Sequence, residues 1–239
     1  MNKNKALLII GGMGPEASGY LYKLLIDLAI TEFGAKNNDD FPEIILHSVP
    51  VPDFISNDKS RKQALEMLEI VVKQANNLNI SYISIACNTA HILLPKLQKV
   101  SKIPFVSMIE EVANEIVHNK TDMIGILGTP STIKSRLYQD ALSKKGVKTI
   151  IPNEIQLKLL ENVIRNVIRG KINKSDQKTI ARIANSLKKQ GAKGIILGCT
   201  ELPLVFPKEY FLPIYNSVTI LAESLLRKYY KQNTMGEKL

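Results

Sequence analysis

Short apolar segments rich in β-branched residues alternate with longer amphipathic segments along almost the whole chain of 239 residues. Such alternation is typical of parallel sheets that are covered by helices on both faces. The predicted strands cover residues 5–11, 43–47, 80–86, 103–106, 123–127, 148–151, 194–197 and 212–215. The predicted helices cover residues 16–32, 60–78, 90–100, 109–119, 132–145, 154–169, 175–190 and 218–230. The pattern therefore predicts an α/β fold.

The sequence also repeats itself in two halves. Residues 8–12 and 124–128 are similar apolar segments that end in glycine, and each precedes a helix with a Leu-Tyr pair, at an offset of 116 residues. Residues 83–89 resemble residues 195–200 at an offset of 112. Because these matches keep their order, we predict two similar domains related by a pseudo-twofold; chance similarity between two strand–helix units is the alternative. The predicted domains are residues 1–106 with 216–239, and residues 107–215.

Each half contains one cysteine at the end of a predicted strand, Cys87 in the first and Cys199 in the second. Ligands of open α/β sheets bind outside the carboxyl ends of the strands, so the repeat predicts that both thiols face one cleft. A thiolate on one side of an α-carbon can remove its proton while a thiol on the other side returns one, which inverts the configuration. The alternative is a pair of buried and inert cysteines.

Polar residues follow both cysteines and suggest how charge would be stabilised there. Thr89 or Asn88 can cap a helix after Cys87, and Thr200 can cap a turn after Cys199. Backbone N–H groups at such helix starts lower a cysteine pKa from about 8.5 toward 7. Candidate donors for a substrate carboxylate lie in the same loops and their repeats: Asn88, Thr89, Thr129, Thr200 and the backbone of residues 12–14.

Four motifs span most of the chain: Gly11-Gly12-Met13-Gly14-Pro15, Ala86-Cys87-Asn88-Thr89-Ala90-His91, Gly128-Thr129-Pro130-Ser131-Thr132 and Gly198-Cys199-Thr200-Glu201-Leu202. Together they make the sequence similar to the aspartate/glutamate racemase family. The resemblance implies two α/β domains with the active site between them, no pyridoxal phosphate or metal cofactor, and frequent dimer formation. It also implies that Cys87 and Cys199 are the catalytic acid/base pair. The implied substrate pocket is lined by Met13, Asn88, Thr89, Thr129 and Thr200.

One stretch departs from the family pattern. Aspartate racemases of this family usually have Pro-Asp-Arg-Thr after the second strand, where the arginine binds the side-chain carboxylate, but this chain has Phe54 in place of the arginine. Arg165 or Lys158, on a helix of the second half, can supply the charge instead. We therefore predict racemisation of an acidic amino acid, aspartate or glutamate. The alternatives are a broader-specificity amino-acid or hydantoin racemase, and a diacid decarboxylase or isomerase.

The formal net charge of +10 raises a different class, a non-enzymatic binding protein with a basic surface. The basic residues are scattered, however, and the densest stretch, residues 158–193, contains no aromatic residue for base stacking. This pattern indicates a solvated face, so we predict no nucleic-acid partner. The apolar runs fall short of the roughly 20 residues that a membrane span needs. We therefore expect a cytoplasmic protein that binds a small amino acid and no membrane, and the family resemblance implies a homodimer.

Three further features have competing interpretations. The pattern G-x-G-x-x-A at residues 12–17 fits a dinucleotide-binding loop, but the second strand ends without the acid that binds ribose. His91 can orient a loop, or it can form a nucleophile pair with Cys87. Glu201 can tune the pKa of Cys199, or it can simply begin a helical turn. The three histidines of the chain lack the spacing of a metal site.

Overall fold

The structure is a computed structural model that describes residues 5–53 and 60–236, and it contains two parallel sheets flanked by helices. The strands are β1 (Ala6–Gly11), β2 (Ile44–Ser48), β3 (Ile80–Ile85), β4 (Met123–Gly128), β5 (Lys148–Ile150), β6 (Ile195–Gly198) and β7 (Ile214–Asn216). The helices are α1 (Pro15–Thr31), α2 (Arg61–Ala75), α3 (Leu94–Val100), α4 (Met108–His118), α5 (Pro130–Lys134), α6 (Leu137–Ser143), α7 (Glu154–Ile168), α8 (Lys174–Lys189) and α9 (Ser217–Gly236). Short 3₁₀ helices cover Asn38–Asp40, Thr89–Ile92 and Leu202–Leu204. No helix in the described part of the chain has the length and apolarity that a bilayer crossing requires.

Both sheets are parallel throughout, which confirms the predicted α/β class. The first sheet has the strand order β2-β1-β3, and the second has the order β5-β4-β6-β7. In the first sheet, Ile10 near the end of β1 lies opposite Ile85 at the end of β3. In the second, Gly128 at the end of β4 lies opposite Gly198 at the end of β6. The ends of β1 and β3 therefore lie side by side in the first sheet, and those of β4 and β6 lie side by side in the second. Ligands of parallel sheets bind at this edge.

Apolar side chains cover both faces of each sheet. The first sheet packs against α2 and α3 on one face and against α1 and α9 on the other. The second sheet packs against α7 and α8 on one face and against α4 and α6 on the other. The last helix, α9, contacts α1, α4 and β6, so it touches elements of both halves. The domain bounds at residues 106 and 216 stay a prediction.

Three predicted elements differ from the structure. Residues 103–106 form an isolated bridge between Ile83 and Phe105 instead of a strand; Pro104 lacks the N–H that would continue the pairing. The helix predicted for residues 90–100 is divided into a 3₁₀ turn and α3, whose first turn contains Pro95. The helix predicted for residues 132–145 is divided into α5 and α6, because Arg136 between them has a left-handed φ of 55°.

The loop after β1 depends on Gly12, which has a φ of 92°. A Cβ at this position would lie only 2.5–2.8 Å from the backbone of Val49. We expect Gly12→Ala to lower the free energy of unfolding by about 3 kcal/mol, because overpacking adds to the left-handed strain. Gly34 is the matched control, since it has a φ of 73° and a Cβ added there would have no heavy atom of the described residues within 4 Å.

Gly34→Ala should therefore cost only about 1 kcal/mol, which is the strain of the backbone alone. Urea unfolding of the two variants and the original chain measures both losses. Equal losses would show that the close approach of Gly12 to Val49 contributes nothing to stability.

Candidate active site

One pocket lies where β1 and β3 of the first sheet and β4 and β6 of the second sheet end. The residues that follow β1, β3, β4 and β6 all line it, and Cys87 and Cys199 are both among them. Its volume is about 240 Å³, below the range of about 300–1,000 Å³ for drug-sized ligands. The pocket therefore suits a small metabolite such as a single amino acid.

All of the predicted pocket residues line this pocket together with the two cysteines. The structure places the following predicted side chains there: Met13, Asn88, Thr89, Thr129, Thr200 and Arg165. Lys158, the alternative to Arg165, is exposed and is not part of the lining. Phe54 lies outside the described residues. The roles of these residues in binding or catalysis remain predictions.

Cys87 is buried, with 8% of the residue exposed. Burial and the nearby Glu201 charge raise its pKa to about 12, although the N–H groups of Ala90 and Thr89 and the Thr89 hydroxyl lower it. These three donors stabilise the thiolate at this sulfur and so offset part of the rise. The prediction of a lowered pKa at Cys87 is wrong, because burial and the neighbouring carboxylate outweigh the helix-start N–H groups.

Cys199 is also buried, and its thiol donates a hydrogen bond to Oε2 of Glu201 at 2.9 Å. The hydroxyl of Thr200 donates to the same oxygen at 3.0 Å, so Thr200 does not cap the turn as predicted. Burial, the charge of Glu201 and this thiol–carboxylate bond hold the pKa of Cys199 well above its ordinary value. The prediction of a lowered pKa is therefore wrong here too.

Glu201 lies between the second thiol and the loop after β1. Burial raises its pKa, and the hydrogen bonds from Cys199 and Thr200 oppose that shift. Gly14 lies so close to Oε1 of Glu201 that a Cβ at residue 14 would overlap it. The glycine pattern of residues 12–17 thus makes room for a carboxyl group, whose negative charge would disfavour a pyrophosphate at this loop.

Three threonine hydroxyls join the two halves at the pocket, which Thr89 and Thr129 line. The Thr89 and Thr129 oxygens lie 2.9 Å apart, and Thr132 lies 3.1 Å from Thr89 and 3.0 Å from Thr129. Thr129 also caps α5 by accepting the N–H of Thr132. Thr89 is used in this cluster, and neither it nor Asn88 caps the 3₁₀ turn after Cys87, so the predicted cap is wrong.

Asn88 is fixed by residues that the sequence reasoning missed. The Tyr138 hydroxyl donates to Oδ1 of Asn88, and Nδ2 of Asn88 donates to the hydroxyl of Ser217 at 3.1 Å. Ser217 in turn donates to the Leu197 carbonyl at 2.8 Å. The amide orientation is therefore set by α6 and α9. No local pattern in the sequence indicates the contact of Asn88 with Tyr138, because it joins residues 50 positions apart.

His91 lies behind Cys87 and is not part of the pocket lining. Its Nε2 accepts the N–H of Met108 at 3.1 Å, so its Nδ1 is the nitrogen that donates to the Cys87 carbonyl at 2.8 Å. Burial lowers the pKa of His91 to about 4, which keeps the ring neutral. The structure supports the interpretation of His91 as a residue that orients the Cys87 backbone.

Arg165 lies at the edge of the pocket and is held by two carboxylates. Its Nη1 donates to Oδ2 of Asp53 at 2.9 Å, and its Nε and Nη2 both lie 2.9 Å from Oε1 of Glu161. These contacts raise the pKa of Arg165, with the Asp53 hydrogen bond as the largest cause. Among the described residues, no group of three or more His, Cys, Asp or Glu side chains has the geometry of a metal site.

Comparisons with known proteins show which family the chain resembles. A family model described as Asp/Glu/Hydantoin racemase matches residues 10–225. The broad specificity amino-acid racemase RacX of Bacillus subtilis (strain 168) is 27% identical over 226 residues, which are 92% of this chain and 96% of that protein. The glutamate racemase of Helicobacter acinonychis (strain Sheeba) is 33% identical over 183 residues, 72% of this chain and 68% of that protein.

Solved structures show the same fold. The aspartate racemase of Picrophilus torridus superposes with a TM-score of 0.81 at 27% identity, over 94% of this chain and 94% of that chain. An aspartate racemase homologue from Pyrococcus horikoshii OT3 superposes with a TM-score of 0.79 at 28% identity, over 95% of this chain and 99% of that chain. The two-sheet architecture of this chain is thus shared over almost its full length.

The neutral, buried state of His91 predicts a pH-dependent stability. The unfolded chain binds a proton at this ring below about pH 6.5, whereas the folded chain does so only near pH 4. Where the unfolded state binds more protons than the folded state, stability falls as the pH drops. His91 should therefore reduce the free energy of unfolding by about 3 kcal/mol between about pH 6.5 and about pH 4. The measurement is urea unfolding at several pH values, with His91→Asn compared with the original chain.

His118→Asn is the control, because that side chain is exposed. It should leave the slope of stability against pH unchanged, while His91→Asn should flatten it. An NMR titration of the folded chain provides a second measurement, in which the His91 ring should titrate near pH 4. A His91 ring that titrates at its ordinary pH would contradict the inference.

The charge of Glu201 predicts a second effect, on thiol reactivity. Because Glu201 adds to the effect of burial and raises the pKa of both cysteines, Glu201→Gln should lower both pKa values and speed alkylation by iodoacetamide near pH 8 by about tenfold. Mass spectrometry of each cysteine peptide measures the two rates separately. Glu110→Gln, at an exposed carboxylate of α4, is the control, and an unchanged rate at both thiols of Glu201→Gln would contradict the assignment.

Proposed function

The chain belongs to the Asp/Glu/hydantoin racemase family and is an amino-acid racemase, and we propose that Cys87 and Cys199 are its two catalytic acid/base groups. The supporting observation is that both sulfur-bearing residues line one pocket at equivalent strand ends of the two halves. Two acid/base groups on opposite sides of one α-carbon can invert its configuration, because one removes the proton and the other returns one. A small-molecule amino acid is the substrate of this reaction.

The hydrogen bonds suggest where the proton starts. Donors around Cys87 stabilise its thiolate once it forms, whereas Cys199 is bound to Glu201 through its own proton. In one direction the Cys87 sulfur takes the α-proton: the C–H bond breaks, an S–H bond forms, and the electron pair moves toward the substrate carboxylate. The Cys199 thiol then gives its proton to the opposite face of the carbon and becomes the thiolate. The reverse direction exchanges the two roles.

Stabilising the negative charge on the substrate carboxylate is the costly part of this reaction. Polar groups fixed before the reaction stabilise such charge without reorganisation. Tyr138 and Ser217 orient Asn88. The hydroxyls of Thr89, Thr129 and Thr132 hold one another in place. We assign the substrate carboxylate to this side of the pocket, next to Thr200, which leaves the loop after β1 and Arg165 for the side chain.

The identity of the substrate is a separate question. An acidic substrate, predicted from the family resemblance, needs a cation for its second carboxylate, and Arg165 is the candidate. The pairing of Arg165 with Asp53 and Glu161 instead favours the alternative of a broader-specificity racemase, and RacX has that description. A decarboxylase needs a single proton donor, so two thiols in one pocket favour racemisation. Homodimer formation stays a prediction.

The two-base mechanism predicts that each cysteine is required. Cys87→Ser and Cys199→Ser should each reduce racemisation by about 10²–10⁴-fold, because a hydroxyl is a far weaker acid and base than a thiol near neutral pH. Chiral chromatography measures racemisation, without added cofactor. In D₂O, each variant should still exchange the α-proton of one enantiomer, and proton NMR detects this loss of signal.

The pattern of exchange distinguishes the mechanism from its alternatives. The two variants should exchange opposite enantiomers, because each keeps the thiol on one face. Circular dichroism and urea unfolding serve as the control for folding. Near-normal racemisation by either variant would exclude the two-base mechanism, and no exchange with any amino acid by the original chain would exclude the proposed function.

A further inference from the structure

Two buried hydroxyls, those of Tyr138 and Ser217, hold the side chain of Asn88. Tyr138 is the second residue of α6 and Ser217 is the first residue of α9, and both are fully buried. Neither of them lines the pocket, whereas Asn88 does. The two hydroxyls can therefore act on a bound substrate through Asn88 without contacting it themselves.

The orientation of the Asn88 amide follows from the number of hydrogens available. A serine hydroxyl has one hydrogen, and that of Ser217 is donated to the Leu197 carbonyl at 2.8 Å. The Ser217 oxygen can therefore only accept from Asn88, so the atom that faces it at 3.1 Å is Nδ2. Oδ1 of Asn88 then accepts the hydrogen of the Tyr138 hydroxyl. Burial raises the pKa of Tyr138 more than the neighbouring Ser217 lowers it, so this hydroxyl keeps its proton.

One hydrogen of the Asn88 amide is left over. A side-chain amide nitrogen has two hydrogens, and the second one on Nδ2 has no acceptor among the residues that the structure describes. Because Asn88 lines the pocket, this N–H is available to an anionic group of a ligand. A flipped amide would present an oxygen in its place, and an oxygen repels a carboxylate. The two hydroxyls therefore determine whether Asn88 attracts or repels an anion.

The ring of Tyr138 connects this amide to the segment of the second thiol. A Cβ added to Gly198 would lie 2.9 Å from Cε2 of Tyr138, so the ring packs directly against the residue that precedes Cys199. The hydroxyl of the same side chain reaches the residue that follows Cys87. One rigid side chain therefore contacts both cysteine-bearing segments and fixes the position of Asn88 relative to the end of β6.

On this basis, which rests on the proposed racemase function, we propose that Tyr138 and Ser217 are positioning residues that hold Asn88 with one amide N–H directed at the substrate carboxylate. When the α-proton leaves, the electron pair of the C–H bond moves toward that carboxylate, whose negative charge increases. A donor that is already oriented stabilises this charge without reorganisation. The contribution of Tyr138 is therefore larger in the transition state than in the bound substrate.

Tyr138→Phe tests this proposal, because it removes the hydroxyl and keeps the ring against Gly198. We expect kcat to fall by at least about tenfold and KM to change by less than about threefold, since the lost interaction is strongest in the transition state. Chiral chromatography measures both constants. The substrate is the amino acid that the original chain racemises fastest in a panel of all the common L-amino acids.

Tyr215→Phe is the matched control. Tyr215 belongs to the same apolar cluster as Tyr138, its hydroxyl lies 2.8 Å from that of Thr121, and it does not line the pocket. This variant also loses one hydroxyl and its hydrogen bond, but it should leave kcat within about twofold of the original value. Urea unfolding of both variants compares their losses of stability.

A double-mutant cycle shows whether Tyr138 acts through Asn88. In an Asn88→Ala background the amide is absent, so Tyr138→Phe should lower kcat by no more than about twofold further. Equal fold losses of kcat in the two backgrounds would show a structural effect alone and would overturn the proposal. Ser217→Ala removes the acceptor at the other end of the amide and should lower kcat in the same way, which keeps the test available if Tyr138→Phe does not fold.

The outcomes separate this proposal from the function on which it rests. A kcat of Tyr138→Phe equal to that of Tyr215→Phe overturns the positioning role and leaves the racemase function intact. No racemisation of any amino acid by the original chain overturns the function itself, and the positioning role with it. A loss of kcat that depends on the presence of Asn88 supports both.

Discussion

Three ionisable groups are buried in one pocket, and Glu201 makes a negative charge on either thiol more costly. The pKa values of Cys87, Cys199 and Glu201 are all raised, with burial as the first cause, and Glu201 raises the pKa of both thiols further. Repulsion between negative charges is strong where burial excludes water. Few of the three groups are therefore ionised at the same time. In the proposed mechanism, the α-ammonium group of the substrate compensates one of these charges, so that substrate binding favours the formation of the thiolate.

The two halves of the molecule repeat in backbone but differ in chemistry at the residue two positions after each cysteine. The offset of 112 residues places Thr89 in the position that Glu201 has in the second half. Thr89 gives donors to the Cys87 sulfur, whereas Glu201 accepts the proton of the Cys199 thiol. The Thr–Glu difference therefore gives the two thiols different surroundings: donors surround the Cys87 sulfur, and a carboxylate accepts the Cys199 proton.

The sequence predicted the parts of this site that depend on strand ends and repeats, and missed those that depend on distant contacts. Cys87, Cys199 and the polar residues after them follow strands, and parallel packing brings such positions together. The pKa directions were wrong because burial and Glu201 act through space, and no local pattern reports their size. The ion pair of Asp53 with Arg165 joins residues 112 positions apart. The helix break at Arg136 was missed because its left-handed backbone lacks the usual glycine.

The same ion pair shows why a cation in a sequence is a weak indicator of an anion site. Asp53 lies in the loop after β2 and Arg165 lies on α7, so their contact ties the first half of the molecule to the second at the edge of the pocket. An arginine that already pairs with two carboxylates helps to position the pocket wall, and it adds little positive charge to the pocket. Any change that frees Arg165 for an acidic ligand also loosens this link. The Asp53–Arg165 contact therefore affects both the position of the pocket wall and the charge at the pocket edge.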